Sequence, residues 1–375
     1  MIYLDNAATT WPKPAAVINE ITECMTKYGA NPGRGASDMV LRSGEKVYEC
    51  RELVSDFFGL DNPGNVIFTS NATHALNLVI YGILNPGDHV IYTEMDHNSV
   101  MRPIFSLRNK VDSSMAHADE NGYVSAEKIE QLIRPNTALI VMTHVSNVCG
   151  TIMPAEKVAE IAHRHNIPFL LDASQSAGIL DIDMKKQGID FLAAPGHKSL
   201  YGPMGTGVLC INSDIALNPL ICGGTGSYSS HLHQPRELPD RFESGTLNVP
   251  GICALAEGIR FINQNGKENI LKHELSLTSY LLGGLSENKK ISIIGVNGCL
   301  GRTGVISFCH SESDSVSVSD YLNSDYSIAT RAGYHCAYKA HEALKTSENG
   351  TVRVSLGVFN DTSDIKILLY ALEHM

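Results

Sequence analysis

Between residues 64 and 210, short runs of β-forming residues alternate with amphipathic helical stretches, and this alternation constrains the fold more than any other feature of the chain. It is typical of a parallel-rich sheet covered by helices. The predicted strands are NVIFTS, DHVIYTEM, ALIVMTHV, IPFLLDAS, GIDFLAAPG and GTGVLCIN, and the first five run into Asn, His, Ser or Gly. Because ligands of open α/β sheets bind outside the carboxyl ends of the strands, we predict that these polar ends converge on one site.

A second, smaller α/β unit follows the segment DRFESGTLNVPG. A long helical stretch begins near Ile252, ISIIGV and GVISFCH are predicted strands, and TVRVSLGVFN is the last strand before a terminal helix. We therefore predict an α/β fold in which residues 1–250 form a large domain, with a mostly parallel mixed sheet between helices, and residues 251–375 form a smaller C-terminal domain. The extreme N-terminus is compatible with packing on either domain. At 375 residues the chain is long enough to bury a sizeable core.

The charge balance and the apolar runs exclude several classes of partner. The formal net charge is −11, and the chain has no basic stripe of the kind that nucleic acids or anionic membranes need. The start MIYLDNAATTWPKP carries Asp5 where a secretory signal needs an unbroken apolar run, and no later segment offers about 18 apolar residues in a row. We therefore expect a cytoplasmic protein that acts on a small molecule, with no nucleic acid and no membrane as partner.

The nine cysteines are scattered along the chain, with an odd total and no CxxC pair. This pattern argues against a disulfide framework and a structural zinc site, and it favours a reducing compartment. The pairs His163/His165 and His231/His233 have too little around them for a metal site. We predict no bound metal.

The segment DFLAAPGHKSLYGPMGTG places Lys198 between a strand end and a glycine-rich run. Glycine lets backbone approach a ligand closely, and a lysine in a cleft suits Schiff-base chemistry. A surface lysine is the plain alternative. A phosphate-binding P-loop does not fit, because His197 interrupts the Gly-Lys-Ser order and the glycine spacing is wrong.

Asp172 ends the strand of FLLDASQSAG, 26 positions before Lys198. Pyridoxal phosphate, a cofactor that binds lysine, needs an acidic partner for its pyridine nitrogen, and a buried carboxylate needs a partner of its own. Capping of the next helix is the alternative role. The cofactor's phosphate needs donors at a helix start, which the sequence Asn71-Ala72-Thr73 offers.

Two further residues stay open on residue chemistry alone. His97, at the end of TEMDHNSV, suits stacking on a planar cofactor, proton transfer or a purely structural role. Cys336, in RAGYHCAYKAHEALK, suits buried packing, metal binding or attack as a nucleophile.

Seven ordered motifs carry a family resemblance: YLDNAATT, TSNATHALNL, HVSNVCGT, LLDASQSAG, GHKSLYGPMGTG, RFESGTLN and RAGYHCA. In order and spacing they resemble the class V aminotransferase family of fold type I pyridoxal-phosphate enzymes. Within it the chain resembles the SUF-type, or group II, cysteine desulfurases and selenocysteine lyases. The resemblance implies conversion of L-cysteine to L-alanine with a persulfide on Cys336. Alternatives are selenocysteine cleavage, another class V lyase or aminotransferase reaction, and an idle relative that binds a partner.

The resemblance implies a role for each polar strand end. Lys198 would hold pyridoxal 5'-phosphate covalently and relay protons, Asp172 would hold the pyridinium, and His97 would stack on the ring. The remaining cofactor-binding residues implied are Gln175 at the phenolic oxygen, Asn147 at the ring, and Ala72, Thr73 and His197 at the phosphate.

The resemblance also implies how substrate and a second subunit bind. Arg353 would clamp the substrate carboxylate, a bidentate task suited to guanidinium, with Asn147 and Ala8 beside it. Thr246 would reach the phosphate of a neighbouring subunit, which implies a homodimer with shared sites. An acceptor protein for the sulfur or selenium is a further partner that the resemblance admits.

The chain departs from the family pattern in three places. Pro195 stands where a serine or threonine usually precedes GHK, so one phosphate hydroxyl is missing and must be replaced. Gly33 stands where the SUF-type enzymes carry a histidine. Tyr334 and the tail CAYKAHEALK also differ from the usual continuation.

Overall fold

The computed structural model describes residues 1–33 and 35–375, which form an α/β fold. Their strands, in chain order, are β1 (Ile2–Tyr3), β2 (Val66–Thr69), β3 (His89–Thr93), β4 (Asp112–Ala116), β5 (Thr137–Thr143), β6 (Phe169–Asp172), β7 (Phe191–Pro195), β8 (Gly207–Ile211), β9 (Ile291–Ile294), β10 (Val305–His310), β11 (Ile328–Ala329), β12 (Arg331–Gly333) and β13 (Thr351–Ser355). Their α-helices are α1 (Ala15–Glu23), α2 (Asp38–Phe57), α3 (Ala72–Ile83), α4 (Asn98–Ser106), α5 (Ala126–Glu130), α6 (Ala155–Arg164), α7 (Val249–Asn265), α8 (Lys267–Glu287), α9 (Ser315–Tyr326), α10 (Tyr338–Ala343) and α11 (Thr362–Glu373).

The large sheet has seven strands in the order β2-β8-β7-β6-β5-β3-β4. Strands β4, β3, β5, β6 and β7 pair in parallel, and β8 runs antiparallel to both β7 and β2. Strands β2, β6, β7 and β8 are buried along their whole length, as expected for a sheet covered on both faces. The predicted mostly parallel mixed sheet between helices is confirmed.

A smaller antiparallel sheet, in the order β12-β13-β10-β9, lies in the C-terminal part of the chain. It shares a core with one face of α8 and with α9 and α11. The N-terminal strand β1 pairs in parallel with β11, and Leu4 is buried in the same core. The chain start therefore packs on the C-terminal unit, while the division near residue 250 stays a prediction.

The strands predicted from sequence do not include β4, whose residues DSSMA are mostly polar and only partly buried. An edge strand is exposed on one side, so its sequence lacks the apolar run that marks the central strands. The two- and three-residue strands β1, β11 and β12 are too short to leave a periodic pattern.

Glu274 is a buried acid in α8, with only 2% of its surface exposed. Its Oε2 atom has no hydrogen-bond partner among the described residues. Burial raises the pKa of this carboxyl to about 8, because the ionised form loses its hydration without a compensating partner. Glu274 is therefore mostly protonated at neutral pH.

We expect Glu274 to make the folded chain less stable as pH rises. Between its ordinary pKa of 4.5 and its folded value of about 8, the folded chain holds a proton that the unfolded chain has released. The unfolding free energy should then fall by about 1.4 kcal/mol per pH unit from this group, and level off above pH 8. Guanidinium unfolding of parent and Glu274→Gln at several pH values measures the difference in slope.

Glu268→Gln is the matched control, because Glu268 lies exposed on the same helix. Glu268→Gln should leave the slope of the unfolding free energy against pH the same as in the parent. An identical slope in the parent and in Glu274→Gln would contradict the assignment.

Candidate active site

One cavity of about 160 Å³ lies at the carboxyl edge of the large sheet. Its lining comes from segments that follow β2, β3, β5, β6 and β7, as the polar strand ends predicted. The lining residues are Asn71, Ala72, Thr73, His97, Ser99, Thr143, Asn147, Asp172, Ser174, Gln175, Pro195, His197 and Lys198. Eight of them are predicted site residues.

Lys198 follows β7 by three residues, and Asp172 is the last residue of the neighbouring strand β6. Burial lowers the pKa of the Lys198 amine to about 8, while the charge of Asp172 acts in the opposite direction. Asp172 is buried, and its Oδ1 accepts a hydrogen bond from the backbone N–H of Ser174 at 2.9 Å. The pair therefore brings an amine of lowered pKa and a carboxylate into one cavity.

His97 has the structural role that the sequence left open, and it also lines the cavity. It is the N-cap of α4, and its Nδ1 accepts a hydrogen bond from the backbone N–H of Ser99 at 3.0 Å. Burial lowers the pKa of this imidazole to about 4, and Lys198 adds to the lowering against the opposing charge of Asp172. The ring is therefore neutral near pH 7 and able to lie against an uncharged planar group.

The start of α3 presents hydrogen-bond donors to the cavity. Asn71 caps this helix, with Oδ1 accepting from the N–H of His74 at 2.9 Å. The first backbone N–H groups of a helix have no partner within it, which leaves those of Ala72 and Thr73 available to an anion. The Thr73 and Ser99 hydroxyls are 2.7 Å apart.

Pro195 lines the cavity without a hydroxyl, as the departure from the family pattern predicted. Ser99 and Ser174 also line it, and the sequence analysis did not select them. They supply hydroxyl groups to the same cavity that Pro195 lines. The available signal was closeness to selected residues, because Ser99 lies two residues after His97 and Ser174 lies directly before Gln175.

Pyridoxal phosphate, the cofactor that the resemblance implies, fits this donor set. The cavity offers an amine, a buried carboxylate, a neutral aromatic ring and a helix start. The Nδ1 atom of His197 is buried and has no partner among residues 1–33 and 35–375, so it is free for a ligand. Gln175 donates from Nε2 to the carbonyl of Ala7 at 3.0 Å, which fixes the amide at the cavity wall.

Cys336 lies in a groove of about 400 Å³ that adjoins the cavity. The two share Thr73, His97 and Ser99 in their walls. Cys336 is exposed and has a left-handed backbone, with φ of 58°. Its exposure rules out the buried packing role that the sequence left open.

Arg331 lies beside this thiol, and the sequence analysis missed it. Its Nη2 is 3.9 Å from Cys336 Sγ. Arg331 on β12 is directly opposite Arg353 on β13, so the two guanidinium groups belong to one face of the small sheet. The position of Arg331 opposite Arg353 becomes visible only from the pairing of these strands, because β12 is too short to be predicted from sequence.

Arg353 is fully buried but lies outside the cavity lining. Its Nη2 is 2.6 Å from Asp5 Oδ1, and its Nη1 donates to the carbonyl of Asn147 at 3.0 Å. Burial lowers the pKa of Arg353, and Asp5 opposes that lowering. Asn147 in turn donates from Nδ2 to the carbonyl of His335 at 2.7 Å. Arg353 and the cysteine loop are thus joined through Asn147.

Four predicted site residues lie outside the cavity lining: Cys336 and Arg353, described above, and Thr246 and Ala8. Thr246 is exposed and Ala8 is half-buried, and neither is part of the lining.

Within the described residues, no group of three or more His, Cys, Asp or Glu side chains is arranged to hold a metal ion. None of the helices in residues 1–33 and 35–375 combines the length and apolar character needed to cross a membrane.

Comparison with known proteins gives one consistent result. The profile of the family described as aminotransferase class-V matches residues 2–368. A protein named probable cysteine desulfurase from Methanothermobacter thermautotrophicus is 36% identical over 385 residues, which cover 100% of this chain and 94% of that protein. Another of the same name from Borreliella burgdorferi is 33% identical over 388 residues, covering 100% and 91%. The apo structure of a cysteine desulfurase from Thermococcus onnurineus matches with a TM-score of 0.94 at 33% identity, covering 100% and 94%.

The lowered pKa of Lys198 predicts how the apoprotein takes up pyridoxal phosphate. Only the neutral amine attacks an aldehyde, so covalent uptake should rise with pH, be half-maximal near pH 8 and then level off. Borohydride reduction followed by peptide mass spectrometry measures the uptake at Lys198, and Lys198→Met should show none. If the rate of covalent uptake at Lys198 still rises steeply at pH 10, as expected for an ordinary lysine, the prediction is wrong.

Proposed function

Because this chain belongs to the class-V aminotransferase family, we propose that it is a pyridoxal-phosphate-dependent cysteine desulfurase that converts L-cysteine to L-alanine and carries the sulfur as a persulfide on Cys336. The observation that carries the proposal is the exposed thiol of Cys336 at the mouth of a cavity containing Lys198 and Asp172. The relatives named probable cysteine desulfurase, which match over more than 90% of their length, support the choice of cysteine over selenocysteine or another amino acid.

Eight residues hold the cofactor in this proposal. Lys198 binds it covalently, Asp172 pairs with the pyridine nitrogen and His97 lies against the ring. The others are Gln175 and Asn147 beside the ring and Ala72, Thr73 and His197 at the phosphate. When bound, pyridoxal phosphate withdraws electrons from the substrate amino acid and so makes its carbon–sulfur bond easier to break.

Arg353 binds the substrate carboxylate, with Asn147 and Ala8 beside it. The ion pair with Asp5 supports this role, because it keeps the guanidinium ionised and fixed in a buried position. A carboxylate that enters must compete with Asp5 for Arg353. Binding of substrate is thereby linked to the N-terminal segment that carries Asp5.

Cys336 takes the sulfur from the substrate. Its thiolate attacks the substrate sulfur, a sulfur–sulfur bond forms, and the carbon–sulfur bond breaks with its electron pair left on carbon. Lys198 Nζ, once the substrate amine has displaced it from the cofactor, delivers the proton that completes alanine. Arg331, 3.9 Å from Sγ, stabilises negative charge on the sulfur before and after transfer. An acceptor thiol, of a protein or a small molecule, then removes the outer sulfur.

The proposal includes a homodimer in which Thr246 binds the phosphate held by the neighbouring subunit. The exposure of Thr246 outside its own cavity is consistent with that role. Light scattering should give twice the chain mass of 40.7 kDa, and a monomer that desulfurates cysteine at full rate would contradict the shared site.

A cytoplasmic location completes the proposal, supported by nine free cysteines, and cell fractionation tests it.

We expect Cys336→Ala to bind cofactor normally and to lose sulfur release from cysteine by at least about 10²-fold, because the attacking group is gone. The holoenzyme is followed by absorbance on addition of L-cysteine, with alanine and sulfide assayed in the same sample under reductant. Cys222→Ala is the control, since Cys222 is also an exposed thiol and lies outside both the cavity and the groove.

Three results would count against the proposal. Parental desulfuration by Cys336→Ala would remove the nucleophile role. A cofactor spectrum without alanine from cysteine, but with alanine from selenocysteine, would make the protein a selenocysteine lyase. Formation of a keto acid would point to transamination.

A further inference from the structure

The segment that follows Cys336 departs from the family pattern, and the proposed function gives it no role. In the structure Tyr338–Ala343 forms the short helix α10, directly after the cysteine loop. His341 lies on the buried side of this helix, with 0% of its surface exposed. The departures at Tyr334 and in CAYKAHEALK therefore belong to one structural unit.

The cysteine loop has an unfavourable backbone that its surroundings must hold. His335 and Cys336 both have left-handed conformations, with φ of 49° and 58°. Such conformations are uncommon for residues other than glycine, and they persist only where neighbouring groups fix them. The carbonyl of Cys336 accepts from the N–H of Asn98 at 2.8 Å, and the carbonyl of His335 accepts from Asn147.

The side chain of His335 is the third anchor of this loop. It is 3% exposed, and its Nε2 is 2.9 Å from the hydroxyl of Thr351 on β13. The ring of His341 lies behind it, with centroids 5.4 Å apart and planes at 42°. His341 is itself fixed by Thr346, whose hydroxyl is 2.7 Å from its Nδ1.

Tyr334 and Tyr338 complete the cluster. Tyr334 meets the His341 ring edge-on at 5.6 Å and the Tyr338 ring at 5.3 Å. Its hydroxyl donates to the carbonyl of Ser347 at 3.0 Å. Burial lowers the pKa of His335 to about 2 and that of His341 to about 4, so the two rings pack as neutral groups.

We propose that His341 is a positioning residue for sulfur transfer: by packing against His335, it holds the strained backbone that presents the Cys336 thiol. His341 touches no reacting atom, so it affects sulfur transfer only through the position of the Cys336 thiol. Tyr334 and Thr346 hold His341 in turn. This inference rests on the proposed function.

The test separates two events in the holoenzyme after rapid mixing with L-cysteine. The first is the absorbance change of the cofactor, which requires only that substrate reach Lys198. The second is formation of a persulfide on Cys336, measured by quenching with an alkylating agent and mass spectrometry. A parent protein that forms no persulfide would overturn the proposed function itself, independently of His341.

We expect His341→Ala to slow persulfide formation by at least about tenfold, since small displacements of a reacting group have large effects on rate. The absorbance change should stay within about twofold of the parent, because substrate binding precedes the use of the thiol. His341→Phe keeps a ring against His335 and should restore most of the persulfide rate. Tyr334→Ala, at a residue that is 40% exposed and thus tolerant of change, should slow persulfide formation in the same direction.

His89→Ala is the matched control. His89 is also fully buried and bonds two hydroxyl groups, of Thr137 and Ser114, but it lies at the start of β3, away from the cysteine loop. His89→Ala should not slow persulfide formation more than it slows the absorbance change of the cofactor. Parental persulfide formation in His341→Ala, or an equal slowing of both events as in a generally destabilised protein, would overturn the proposal.

Discussion

The shared carboxyl edge of the parallel strands is the constraint on which the rest of the structure depends. Strands β3, β5, β6 and β7 run in the same direction, so the residues after them meet at one edge. Asp172 is paired directly with Ala193 of β7, two residues before the strand end. A shift of one residue in this pairing would turn Asp172 to the other face of the sheet. The cavity therefore exists only because the register of the sheet is exact.

The second constraint is the attachment of the small sheet to this edge. Arg353 and Cys336 come from the C-terminal part of the chain, whereas the cavity lining comes from the large sheet. The Asp5–Arg353 ion pair and the pairing of β1 with β11 join the chain start to the C-terminal part. The hydrogen bonds from Gln175 to Ala7 and from Arg353 to Asn147 join both to the wall of the cavity. Both charges are largely buried, so removing either one would leave the other without a partner in a poorly hydrated place.

The sequence predicted the parts of the molecule whose signals are local. Strand ends such as that of Asp172 are visible because an apolar run stops at a polar residue. The roles of Arg331, of Asp5 as partner of Arg353, and of His341 were not visible, since each depends on a contact between segments that only the folded chain brings together. Strand β4 was missed for a different reason, because an exposed edge strand needs no apolar run.

The most direct test of the account follows the sulfur atom itself. The holoenzyme is given one equivalent of L-cysteine labelled with heavy sulfur, without reductant, and is then alkylated and digested with trypsin. Cys336 is the only cysteine of the peptide 332–339, so the site is unambiguous. The account predicts alanine in equal amount to heavy sulfur on that peptide. Alanine formed with no heavy sulfur on Cys336 would contradict it.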